Sequence, residues 1–204
     1  VYDNRFSKLA YDPETEVVYL QFHGVNASAN VKINGKTVCT HDGGYSTFRV
    51  EVTKDLQAEN EIVIEVDNSV NDRVYPQKAD FTFYGGIYRD VEILVVSKEH
   101  FDLDYFGGPG MKYIAEVSGK DAKVNVTTYV NELAKTENTK VIVELTDADG
   151  NLVAKAEGAE VSLSITNVHL WDGLEDPYLY QIKATLLKDG LAVDEISCNC
   201  GVRT

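Results

Sequence analysis

The sequence predicts an all-β protein built as two β-sandwiches in tandem, the second of immunoglobulin-like type. Three observations carry this. Apolar residues recur at every second position in most segments, the spacing that puts side chains on one face of a strand. Asn-Gly and Asp-Gly steps follow several of these segments and supply the positive φ angles that tight hairpin turns need. Helical periodicity is nearly absent: only Lys54-Asp55-Leu56-Gln57-Ala58 is expected to form one turn. A chain of 204 residues gives two halves of roughly 100 residues, a usual sandwich size.

The strands follow in order. Val18, Leu20 and Phe22 alternate with Tyr19 and Gln21. Val31 and Ile33 lead into Asn34-Gly35 and then Thr37-Val38-Cys39, a predicted hairpin. Phe48, Val50 and Val52 form the next run, then Ile62, Ile64 and Val66, and Val91, Ile93 and Val95 complete the half. Each run is expected to turn its apolar face to a core. The second half alternates in the same way, through Phe101, Leu103 and Tyr105; Val124, Val126 and Thr128; Val141, Val143 and Leu145; Val161, Leu163 and Ile165; and Tyr180, Ile182, Ala184 and Leu186. Asp149-Gly150 and Asp189-Gly190 are further turns. Roughly seven short strands with turns between them is the immunoglobulin-like pattern. No Cys…Trp…Cys spacing of the antibody type occurs. The polar stretch Ser97-Lys98-Glu99-His100 marks the expected boundary, giving domains 1–98 and 99–204. Gly107-Gly108-Pro109-Gly110 is the other strong loop signal.

Net charge is −14, which disfavours nucleic acid, since phosphate contacts need clustered Lys and Arg. It disfavours anionic membranes as well, and no apolar run reaches the ~18 residues of a spanning helix. The acidic residues are dispersed, as on a solvated surface. Val1-Tyr2-Asp3-Asn4-Arg5 has neither the basic start nor the apolar run of a signal peptide. It also lacks an initiator Met, which fits a piece of a longer chain. Cys39, Cys198 and Cys200 make no disulfide framework. Cys198 and Cys200 are expected on one face of a strand, and three free thiols favour a reducing, cytoplasmic compartment.

The residues alone point to no reaction centre. There is no Gly-x-Ser-x-Gly elbow and no His-Glu-x-x-His zinc site. His23, His41, His100 and His169 are scattered and read as surface or hydrogen-bonded histidines. The Gly107–Gly110 loop is not followed by the Lys-Ser/Thr of a phosphate loop. Asp147-Ala148-Asp149-Gly150-Asn151 has the look of a calcium loop, but position twelve is Gly158 rather than Glu, so a hairpin turn is expected. Asn26 and Asn125 begin Asn-x-Ser/Thr sequons that carry little weight. The 33 acidic residues include no evident pair placed for glycoside chemistry.

Six motifs in register carry a family resemblance. Leu20-Gln21-Phe22-His23-Gly24-Val25, then Ala29-Asn30-Val31-Lys32-Ile33-Asn34-Gly35, is similar to the strand-and-hairpin block of family 2 glycoside hydrolases. His41-Asp42-Gly43-Gly44-Tyr45-Ser46-Thr47-Phe48 resembles its next segment, and Asn60–Val66 its following strand. Asp80-Phe81-Thr82-Phe83-Tyr84-Gly85-Gly86-Ile87-Tyr88-Arg89-Asp90-Val91 resembles the signature that closes the family's sugar-binding domain. Leu170-Trp171, Asp176-Pro177-Tyr178-Leu179-Tyr180 and the final Gly201-Val202-Arg203 resemble its immunoglobulin-like domain.

The resemblance implies a jelly-roll-like, galactose-binding-type domain at 1–98, short of strands before Val17, and an immunoglobulin-like domain at 99–204. It implies a parent that hydrolyses terminal β-glycosides with retention, β-galactosidase first and β-glucuronidase second. The catalytic carboxylates would sit on a (β/α)8 barrel past Thr204, so no catalytic residue and no metal ligand is expected here. Asp80 is the substrate-binding residue implied, reaching the barrel's active site to contact the sugar or a bound cation. No cofactor is expected in these residues, and a cation only in the complete enzyme. The implied partners are a carbohydrate substrate shared with the barrel and, for the complete enzyme, further copies of itself. Thr82 stands where the family often has an aromatic, between Phe81 and Phe83. Gly85 and Gly86 are expected to bend the backbone, and Arg89 and Asp90 to pair across strands. The competing class is a stand-alone carbohydrate-binding or cell-surface adhesion module.

Overall fold

The structure, a computed structural model, describes residues 1–7, 9–76 and 78–204. It is all-β, with two short 3-10 turns, and divides into two units, Val1–Val96 and Ser97–Thr204.

The first unit contains β1 (Tyr2–Ser7), β2 (Glu16–Phe22), β3 (Val25–Asn26), β4 (Ser28–Ile33), β5 (Lys36–Asp42), β6 (Phe48–Glu51), β7 (Glu59–Asp67), β8 (Gly86–Ile87) and β9 (Val91–Ser97). One sheet has the order β1-β7-β4-β5, a second β6-β2-β9, and β3 pairs with β8. The predicted alternation is realised in β2, where Val18, Leu20 and Phe22 are fully buried. Together with Val31 and Ile33 of β4 and Ile64 of β7 they form one core. Burying each such side chain contributes about 1.5–3 kcal/mol. Phe48 stacks on Phe22 at 4.7 Å between centroids and on the His41 ring at 4.0 Å. Asn34 and Gly35 turn β4 into β5 with φ of 50° and 80°, as the Asn-Gly step requires.

The first unit departs from expectation in two places. Val91 and Ile93 are exposed, and of that run only Val95 packs on the core. β9 lies at the end of its sheet, where period two continues but neither residue is covered. β1 is an unexpected strand ahead of Val17. Its residues are largely polar and exposed, and it is held by backbone pairing to β7, Tyr2 opposite Ile64, which leaves no apolar period to read.

The second unit contains β10 (Met111–Ser118), β11 (Asp121–Thr128), β12 (Thr139–Thr146), β13 (Leu152–Glu157), β14 (Glu160–Ile165), β15 (Tyr180–Lys188) and β16 (Leu191–Cys200). The sheets are β10-β11-β14 and β13-β12-β15-β16. Val124, Val143, Leu145, Leu163, Ile182, Ala184, Leu186 and Val202 fill the core. The expected strand through Phe101, Leu103 and Tyr105 is absent. Phe101 is buried and makes a single bridge to Val130. Beyond it Asp102 accepts the amide of Asp104, and Tyr105 accepts that of Gly108. Such local bonds compete with a ladder, and the glycines that follow make them easy to form.

All three cysteines are free. Burial pushes the Cys200 thiol up to about 11 and raises those of Cys39 and Cys198, so none is poised to react at neutral pH.

The units differ in how they hold their carboxylates. In the first, Asp42 is held below the usual range chiefly by Arg73, Glu65 by Lys32, Asp67 by Ser69 and Glu92 by His23. In the second, Asp147 is held down by Asn151, while burial raises Asp194. A depressed carboxyl stabilises the fold fully above its unfolded pKa, and that stabilisation is lost as pH falls through the folded pKa. A raised carboxyl acts in the opposite sense: its contribution is fullest in acid and is lost as pH rises through its folded pKa. Acidification from pH 7 through the depressed carboxylate range is therefore expected to lower the first unit's melting temperature more than the second's. Residue-resolved NMR melts at stepped pH check this, and equal shifts would contradict it.

Candidate functional site

Residues 68–85 lie between β7 and β8, a long connection in which no described residue belongs to a strand or helix, and connections of this length are commonly functional. Its first half is pinned. Asp67 Oδ1 accepts the amide of Ser69, and Asn71 Oδ1 accepts those of Arg73 and Val74. Arg73 Nε donates to Asp42 Oδ2 of β5 at 2.8 Å, and Val74 is buried. Its far end is pinned by two side-chain amides. Asn68 Nδ2 donates to the carbonyl of Phe83 at 3.3 Å, and Asn26 Nδ2 to that of Tyr84 at 2.8 Å. The Tyr88 hydroxyl donates to the same Tyr84 carbonyl. The backbone then pairs Asn26 with Gly86 and Val25 with Ile87.

Three glycines permit this approach. A Cβ on Gly44 would lie 2.4 Å from Asn26 Oδ1, and one on Gly85 would lie 2.7 Å from Asn68 Cγ. Gly86 has φ of +143°, which L side chains rarely adopt. The Gly85-Gly86 bend thus has two causes, close packing at the first residue and backbone conformation at the second. Nothing in the neighbouring sequence marks Gly44, because the contact that demands it comes from a residue eighteen positions earlier. Arg89 and Asp90 both reach across to neighbouring segments, and the Asp90 carbonyl accepts the amide of His23 at 3.2 Å; the Arg89 contacts go to backbone carbonyls. Arg89 Nη1 donates to the carbonyls of His23 at 3.1 Å and Tyr45 at 2.9 Å, which joins the β5–β6 loop to the segment that carries the signature.

Between its pinned ends the connection is exposed, and Asp80 lies in that stretch. No hydrogen bond or ion pair ties its carboxylate to another described residue. Phe81 and Tyr84 are exposed as well. Phe81 and Phe83 meet at 4.9 Å between centroids, and Tyr45 and Tyr88 at 5.9 Å. A carboxylate with no described partner, next to exposed aromatic rings, combines hydrogen-bond acceptors with apolar faces, the residue classes that line small-molecule pockets.

The remaining candidates are structural. Asp147 closes the β12–β13 turn by accepting the amides of Asp149 and Asn151. His23 faces Glu92 at 2.7 Å, His169 faces Asp176 at 2.6 Å, and buried His100 lies 2.8 Å from the Ser97 carbonyl. Asn26 is 4% exposed, so its sequon is closed to modification in the folded chain. Among the described residues no three His, Cys, Asp or Glu gather as a metal site. A cleft of about 560 Å³ is lined by Arg5, Phe6, Asn34, Gln57, Asn60 and neighbouring glutamates, and does not include the Asp80 loop.

Comparison with known proteins agrees along the whole chain. Residues 1–104 match the glycosyl hydrolase 2 galactose-binding domain-like model, and residues 110–203 match glycosyl hydrolases family 2. A β-glucuronidase of Bacteroides fragilis is 34% identical over 200 residues, covering 91% of this chain and 29% of that protein. A β-galactosidase of Thermoanaerobacter pseudethanolicus is 26% identical, covering 92% and 26%. The crystal structure of an FMN-binding β-glucuronidase from Facaelibacterium prausnitzii superposes with a TM-score of 0.93 at 34% identity, covering all of this chain and 32% of that one. The chain thus spans about three tenths of the length of these relatives.

The packing at Gly44 gives a direct test. Gly44→Ala forces a methyl against Asn26 Oδ1 and is expected to cost about 1–3 kcal/mol, the usual range for overpacking. Denaturant titration measures this, and an unchanged midpoint would show that the contact yields freely.

Proposed function

The chain belongs to the glycosyl hydrolases family 2, and we propose that it forms the sugar-binding and immunoglobulin-like part of a β-glycosidase of that family. Two carboxyl groups on a catalytic barrel outside these 204 residues would cleave the glycosidic bond with retention, one as acid and then base, the other as nucleophile. This chain would supply the frame and one wall of the site. β-Glucuronides and β-galactosides are both supported as the substrate class: two β-glucuronidases each share 34% identity with the chain, a putative β-galactosidase from Bacteroides fragilis 31% and a further β-galactosidase 26%.

The observation that carries the reading is Asp80, whose carboxylate is tied to no other described residue, in a connection fixed at both ends. A carboxylate there accepts hydrogen bonds from sugar hydroxyls. A cation in the complete enzyme would need ligands from elsewhere, since no group of metal ligands forms among the described residues.

Two measurements test this. The 204-residue chain is expected to show no turnover of chromogenic β-glucuronide or β-galactoside. Activity that scales with its concentration through repurification would overturn the reading. In the complete enzyme, Asp80→Asn is expected to lower kcat/KM by roughly 10- to 150-fold, because hydrogen bonds to a charged group contribute about 1.5–3 kcal/mol. The melting temperature should stay put, as Asp80 holds nothing in the fold. Micromolar binding of free sugar to the chain alone would instead support a stand-alone carbohydrate-binding module.

A further inference from the structure

We infer that Asn26 and Asn68 are positioning residues for Asp80: their side-chain amides set where the Asp80 loop stands. This rests on the reading of Asp80 given above and extends it to two residues that make no contact with a sugar.

Upstream of Asp80, the last firm ties among the described residues are Arg73 to Asp42 and the burial of Val74. Downstream, the first side-chain ties to the rest of the fold are the Asn68 bond to the Phe83 carbonyl and the Asn26 bond to the Tyr84 carbonyl. These carbonyls lie three and four residues past Asp80, so the amides define the near anchor from which the Asp80 backbone extends. The packing around them is too close for slack. Gly85 sits where a Cβ would strike Asn68, and Gly44 where one would strike Asn26. Asn26 therefore has the β5–β6 loop on one side and the Asp80 loop on the other, while its own backbone pairs with Gly86.

A purely stabilising role fits Asn68 poorly. Asn68 is exposed, and at such a site water can replace a side-chain donor to a carbonyl, so the net gain in stability is small. What water cannot replace is the fixed distance between that carbonyl and the strand end that carries Asn68. A site contact held at hydrogen-bond length is sensitive to displacements of that order.

Asn68→Ala is the decisive variant, since an exposed substitution leaves folding intact, and Asn26→Ala is the stronger but buried one. In the 204-residue chain, chymotrypsin cleavage after Phe81, Phe83 and Tyr84 reads the loosening of the loop. Asn68→Ala is expected to speed it about 2- to 12-fold, the ratio that losing one ordinary hydrogen bond allows when cleavage follows the open population. Wild-type cleavage rates in a variant with wild-type melting would overturn the inference. In the complete enzyme, Asn68→Ala should lower kcat/KM for an aryl β-glucuronide by a similar factor. That loss should vanish in the Asp80→Asn background, because two residues acting through one contact are not additive. An equal loss in both backgrounds would show that Asn68 does not act through Asp80, and the inference would fall. If Asp80→Asn proves silent, it is the reading of Asp80 that fails, and the cleavage rates still decide whether the amides hold the loop.

Discussion

The side-chain amide of Asn26 is the contact on which the loop end of the first unit depends. It is buried, donates to the carbonyl of Tyr84, and stands so close to Gly44 that no side chain fits there. A backbone carbonyl without a strand partner takes its hydrogen bond from another donor. Here the donor comes from a strand of two residues that pairs with the other side of the same turn. The loop carrying Asp80, the loop carrying Tyr45 and the Gly85-Gly86 bend are all set by this one arrangement. Arg89 repeats the logic from the β8–β9 connection, with one guanidinium nitrogen on two backbone carbonyls.

Apart from those connections, both units are ordinary sandwiches. Their stability comes from apolar residues of two facing sheets, with Phe22, Leu20 and Val18 at the centre of the first and Leu145, Ile182 and Leu186 in the second. The surface ion pairs are exposed on at least one side, as with Arg5 and Glu61, and such pairs contribute little. The separation of roles is clear. The sheets fix the frame, and the proposed site residue Asp80 sits on a connection whose far end is held by side-chain amides.

The chain belongs to the glycosyl hydrolases family 2 and spans about three tenths of the length of the relatives it matches. In the first unit three carboxylates of the sheet faces are engaged with basic or amide side chains: Asp42 with Arg73, Glu65 with Lys32 and Asn30, Glu92 with His23 and Gln21. Asp80 differs from these three in having no hydrogen bond or ion pair to another described residue.

The sequence by itself determined the fold class and the family. Period-two alternation reported β2, β4, β7, β11, β12 and β15, because one face of each is buried and the pattern records that burial. The Asn34-Gly35 turn was legible because its φ angles demand those residues. The ordered motifs pointed to the family because several weak signals in register are jointly specific. Tertiary structure decided the rest. β1 carries no apolar stripe, since backbone pairing holds it; Val91 and Ile93 keep the stripe without the burial. The Phe101 segment alternates yet is taken by local turn bonds. The partners of Arg89, the need for glycine at position 44 and the amides that hold the Asp80 loop all join residues far apart in the chain. Local pattern records which face of a strand is buried, but a contact between distant loops leaves no period to read.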